Sequence, residues 1–126
     1  MDRIDDYDDL LRFGGAKVLA YEAFGSYQGD WIAKVRIKFR VKWIHGGFGS
    51  CSGCDAIQSE TEHCSHHWEQ FKNDCDKCQE CVQGLKRLAA EYIAEATTFD
   101  DVFKEISKHD WDSETPKMVK WMEANR

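Results

Sequence analysis

The chain has 126 residues and a formal net charge of −6, from 17 Lys plus Arg against 23 Asp plus Glu. Its hydrophobic content of 42%, with 13% aromatic residues and five Trp, is enough to bury a core, which excludes wholesale disorder and suits one domain. No run of about 18 apolar residues is present to span a membrane, the acidic opening MDRIDDYDDLLRF lacks the apolar centre of a secretory signal, and so acidic a chain does not coat DNA generically.

In chain order, residues 2–13 carry Ile4, Tyr7, Leu10 and Leu11 at helical spacing with Asp5, Asp6, Asp8 and Asp9 between them. This predicts a short amphipathic helix ended by Gly14-Gly15, its acids forming a solvated face or a patch for a basic partner. Lys17 to Phe24 reads as a strand, and Gly25 to Asp30 as a longer hairpin loop. The clearest pattern follows. Trp31, Ala33, Val35, Ile37, Phe39, Val41 and Trp43 take the odd positions, and Lys34, Arg36, Lys38, Arg40 and Lys42 the even ones. Period two with one apolar side predicts a half-buried strand. Thirteen residues would span about 43 Å, beyond the usual 3–10 residue strand, so a turn or bulge is expected near Lys38–Arg40.

The segment 31–43 carries +5, and with a total of −6 the rest of the chain therefore carries −11. The expectation is a basic sheet face on an acidic body. Such a face either keeps the sheet soluble and blocks edge aggregation, or binds phosphate or an acidic partner.

Residues 45–56 (HGGFGSCSGCDA) read as a Gly/Ser-rich loop with two Cys. From about residue 61 the period becomes helical. Trp68, Phe71, Cys75, Cys78, Val82, Leu85, Ala89, Tyr92 and Ala96 recur at spacings of three and four. One helix over 62–96 would be about 50 Å long, and Asn73-Asp74 are good N-caps, so a break there and a main helix over about 75–96 are expected. Gly84 inside it suggests a close contact. Thr98 with Asp101 resembles a capping box, ahead of Phe99, Val102, Phe103 and Ile106. Pro116 suits the first turn of a last helix, with Thr115 as its candidate N-cap.

The cysteines offer metal chemistry. Cys51-x2-Cys54 and Cys75-x2-Cys78 are two CxxC pairs separated by twenty residues, with Cys81, His63, Cys64, His66 and His67 nearby. Two thiolates so spaced can bind one zinc ion side by side. Two four-ligand sets compete: Cys51, Cys54, Cys75 and Cys78, or the more local Cys64, His67, Cys75 and Cys78, which costs less loop closure. Both place Cys75 and Cys78 at a helix start, which favours thiolate. Buried core thiols and an iron–sulfur cluster on Cys75, Cys78 and Cys81 stay open as alternatives. A redox role for Cys51/Cys54 lacks its βαβ setting. The deaminase P-C-x-x-C is missing, since the sole Pro is residue 116, and H-E-x-x-H, G-x-S-x-G and the phosphate-binding Gly motifs are absent. Zinc is thus expected to be structural.

FGSYQGDW (24–31) and GSCSGCDA (49–56), with LAAEYI (88–93) and WDSE (111–114), resemble a family of small uncharacterised proteins of tailed phages and bacteria. In that family a Gly-containing turn often interrupts the basic strand region, where this chain has Lys38-Phe39-Arg40. The resemblance implies a phage or mobile-element accessory protein at work in the bacterial cytoplasm, and carries no activity with it.

The reading is a single α+β domain over residues 1–126, a small antiparallel sheet packed by helices and stapled by zinc. Its N-terminal helix and sheet occupy about 2–50, the Cys/His loop and long helix about 51–96, and two C-terminal helices about 98–124. The expected function is non-enzymatic binding of a bacterial host or defence protein, in an anti-CRISPR-like inhibition in which an acidic body competes for a basic channel. The alternative is direct nucleic-acid binding through Lys34, Arg36, Lys38, Arg40 and Lys42 with Tyr27 in support. A small hydrolase around His45, Cys51 and Cys54 is a third, weaker idea. No membrane partner is expected.

Overall fold

A computed structural model describes residues 6–26, 28–49, 56–57, 79–108 and 113–126. The first helix, α1 (Tyr7–Phe13), buries Tyr7, Leu10 and Leu11, the i, i+3, i+4 set that makes one face of a helical turn. Asp8 and Asp9 sit in its first turn and Arg12 in its last, each of the sign that the helix dipole favours, and Arg12 reaches back to Asp8 at 2.8 Å. Gly14 ends it against Ala89 and Ile93, which belong to the helix over residues 79–94. A Cβ there would lie 2.7 Å from the Ala89 Cβ, so only glycine lets the two backbones approach.

Three strands follow, β1 (Lys17–Gly25), β2 (Gly29–Ile37) and β3 (Arg40–Phe48), paired antiparallel in the order β1-β2-β3. The turn expected near Lys38–Arg40 is there: Ile37 pairs with Arg40 across a two-residue connection. The loop before β2 is shorter than expected, because Gly25 already pairs with Gly29. β3 is longer than expected and takes in His45 to Phe48, which the sequence assigned to the Gly/Ser loop. Helices α2 (Gln79–Ala94), α3 (Phe99–Ser107) and α4 (Thr115–Ala124) complete the described chain.

The sheet is the middle layer of three. On one face Trp31, Ala33, Val35 and Ile44 pack with Tyr7, Leu10 and Leu11 of α1 and Leu85, Leu88 and Ala89 of α2. On the other, Phe24, Ile32 and Trp43 pack with Val102 and Ile106 of α3 and Met118 and Met122 of α4. The expected half-buried sheet is therefore covered on both faces, and Ile32, which broke the odd-position pattern, is as buried as Trp31.

Each face has an aromatic centre. The Trp31 ring stacks on Tyr7 at 5.0 Å and meets Tyr92 edge-on at 5.1 Å. It lies flat against Gly46, where a Cβ would come within 2.6 Å of the indole. Trp43 meets Phe99 at 5.3 Å and Trp121 at 6.1 Å, both edge-on.

Local signals set the helix boundaries. The Thr98 hydroxyl accepts from Asp101 N at 3.1 Å and caps α3 as its spacing predicted. Pro116 lies in the first turn of α4. Thr115 is not that helix's cap: Glu114 holds the position, and Thr115 is a buried residue of the first turn. A single bridge from Thr97 to Trp43, with N–H···O distances of 2.8 and 2.9 Å, ties the α2–α3 connection to the outer edge of β3. No helix among the described residues is long and apolar enough to cross a membrane.

Candidate functional site

The five cations of residues 31–43 do not share one face. Residues directly opposite in an antiparallel pair point to the same side of a sheet. A two-residue turn pairs odd numbers with even ones, so Val35 faces Lys42, Lys34 faces Trp43 and Ala33 faces Ile44. Beyond the turn the parity inverts. Lys34 and Arg36 lie on the α3/α4 side, Arg40 and Lys42 on the α1/α2 side, and Lys38 in the turn itself. The continuous basic face expected from the alternation is thereby split in two.

Lys34 also has other work. Its Nζ donates to the Asn125 and Arg126 carbonyl oxygens at 2.8 and 3.2 Å and stands 6.0 Å over the Trp43 ring. Those carbonyls end α4, where oxygens lack intrahelical donors and the dipole attracts a cation. Arg126 adds to the same anchor, 4.4 Å over the Phe99 ring and 3.6 Å from Asp100 Oδ1.

What remains is a compact basic tip. β1 enters the sheet at Lys17, directly opposite Arg36, so Lys17 joins the group, a residue the sequence reading missed. Lys17, Arg36, Lys38, Arg40 and Lys42 form no ion pair with any described residue. Phe39 stands at the apex 99% exposed, and Val41 beside it is 48% exposed. The sequence counted Phe39 with the apolar face, because period two cannot tell a strand residue from one in a two-residue turn. Lys38 has φ 59°, and it is the only described non-glycine residue with positive φ. Positive φ at the first central position of a two-residue hairpin normally selects glycine; an L side chain there carries a conformational cost.

Concavities among the described residues lie elsewhere. A groove of about 500 Å³ between β1 and α4 is lined by Glu22, Phe24, Glu114, Lys117, Lys120 and Trp121, a set of mixed charge. A notch of about 260 Å³ beside β3 holds His45, Glu95, Asp101 and Glu105. His45 Nε2 is 3.3 Å from Asp30 Oδ1. Thr97 Oγ1 donates to Asp101 Oδ2 at 2.7 Å, and together with the Thr98 hydroxyl it holds that carboxyl below its ordinary range.

Among the described residues no three His, Cys, Asp or Glu side chains come together to hold a metal ion. The proposed zinc ligands Cys51, Cys54, Cys64, His67, Cys75 and Cys78 lie outside the described residues, as do Tyr27, Trp68, Phe71 and the GSCSGCDA motif beyond Gly49 and before Ala56. No family model, curated protein or solved structure matches the chain.

Chemically, the tip offers five cations with no acidic partner among the described residues, and one exposed aromatic ring. Such an arrangement has the charge and the apolar surface to meet a polyanion.

Proposed function

We propose that this is a non-enzymatic binding protein whose recognition element is the tip of the β2–β3 hairpin and whose partner is nucleic acid. The observation that carries the reading is the placement of Lys17, Arg36, Lys38, Arg40 and Lys42, with no ion pair to any described residue, around a fully exposed Phe39. A solubilising role requires charge but not an exposed ring. Phosphates met by several cations release counterions, so binding falls steeply with salt. The −11 carried by the rest of the chain confines contact to this end and opposes generic coating.

Titration of labelled DNA and RNA at increasing salt tests the reading. The expected result is a linear fall of log affinity with log salt, abolished when the five cations become Gln in a chain that still melts cooperatively. Binding that ignores salt, or survives that variant, removes the proposal.

The same −11 favours a second reading, in which the acidic body occupies a basic channel of a bacterial host or defence protein in the manner of an anti-CRISPR inhibitor. The likeness of FGSYQGDW and GSCSGCDA to phage accessory proteins supports that cytoplasmic setting. A bacterial-lysate pull-down that recovers no specific partner removes it. In either reading a structural zinc, supported by the C-x2-C-x20-C-x2-C spacing, staples the Cys/His region. One zinc per chain by elemental analysis, with a lower melting temperature in chelator, is the expected result.

A further inference from the structure

Resting on the nucleic-acid reading above, we infer that the hairpin tip takes a single strand, with an unpaired base stacked on Phe39 and the flanking phosphates held by the cations on either side of the turn. Three observations meet there. The first is the ring itself, 99% exposed at the apex, where it contributes nothing to either core. A base presents a π-face to such a ring whatever its identity.

The second is how far the tip projects. Because β1 begins opposite Arg36, only the Ile37–Arg40 pair and the two turn residues extend past the third strand, about 7 Å of chain at about 3.4 Å per residue. A β-ribbon that reads duplex DNA lies along the major groove and hydrogen-bonds base edges. Here the ribbon is too short to lie in a groove, and its leading side chain has no polar atom with which to read an edge. A base paired in a duplex offers Phe39 its face only if a base step is unstacked, at a cost that a single strand does not bear.

The third is the distribution of charge. Lys17 and Arg36 stand on one side of the sheet and Arg40 and Lys42 on the other, with Lys38 between them. A stiff duplex touches one side at a time, whereas a flexible strand bends over the apex and meets both. Lys38 keeps its cation at the apex in a backbone conformation that suits glycine, so the position retains charge against the local preference of the turn.

The test is fluorescence anisotropy of the full chain with a labelled single strand of about 12 nucleotides, its duplex, and vesicles of 7:3 phosphatidylcholine to phosphatidylserine, in parallel at several salt concentrations. The single strand is expected to bind at least about tenfold tighter than the duplex. Phe39→Ala is expected to weaken it about tenfold or more, with the melting temperature and the salt slope unchanged, while Phe39→Trp retains binding. Equal binding of duplex and single strand, or indifference to Phe39→Ala, overturns the stacking inference and leaves the cation reading in place. No salt-dependent binding to either nucleic acid overturns both. Binding to vesicles but not to nucleic acid reassigns the tip to a membrane surface and overturns both as well.

Discussion

The two ends of one sheet behave as different materials. Along the β2–β3 ladder from Gly29 to the Lys34–Trp43 pair, helices cover both faces and each face carries a tryptophan, Trp31 against α1 and α2, Trp43 against α3 and α4. At the Ile37–Arg40 end the same two strands carry exposed cations and Phe39. Strand propensity does not separate them. What differs is whether a helix lies above and below. The same pair of strands thus contributes to two cores along most of its length and stands exposed at its tip, and a residue's burial follows from the layer over it.

Substitutions at the two ends sharpen that contrast. Trp31→Ala is expected to cost about 3–5 kcal/mol in denaturant unfolding, since it empties the centre of the first core. Phe39→Ala, the equivalent loss of an aromatic ring at the tip, is expected to stay within about 0.5 kcal/mol of the native chain. A comparable loss of stability at both positions would break the comparison.

Gly46→Ala tests the same core from the opposite strand. The new methyl would meet the Trp31 indole at 2.6 Å, and the ring must shift at a cost of about 1–3 kcal/mol. Thr98→Ala removes the α3 cap and is expected to lose about 1 kcal/mol by the same assay.

At the tip the sign reverses. Lys38→Gly relieves a positive φ and is expected to raise stability by about 0.5–1 kcal/mol while weakening nucleic-acid binding. A position kept only for folding would show no such opposition.

The smallest effect concerns Asp101. Its carboxyl titrates below the ordinary value because Thr97 and Thr98 bond the charged form, so its contribution is present above the unfolded-state pKa and is lost as pH falls through the lowered folded-state value. Thr97→Val is expected to move the Asp101 titration upward when followed by NMR, with little change in stability at neutral pH.

Much of this architecture was legible in the residues. The buried Tyr7, Leu10 and Leu11 of α1, the Thr98 cap and the Pro116 first turn each depend on neighbours within about one helical turn and stand where their spacing placed them, while the turn expected near Lys38–Arg40 followed from the length of the alternating run. The Thr115 cap was misplaced by one residue, because Ser113, Glu114 and Thr115 offer competing starts and burial of Thr115 decides between them. The site was legible only in part. Cations and ring were visible, but their grouping was not: Lys17 joins through β1 pairing, and Lys34 leaves to hold the end of a helix 91 positions away in the chain.

By itself the sequence determined the elements, because period two and period 3.6 are properties of a single chain segment and its local backbone geometry. It also determined that a strongly basic segment sits in an acidic chain. Only the tertiary structure decided which face each residue occupies. A two-residue turn inverts parity between β2 and β3, a bulge between Val18 and Ala20 shifts register on β1, and helices distant in sequence cover both faces. Side-chain direction in a sheet is relative to the partner strand, so one residue more or less in a turn exchanges the inside for the outside.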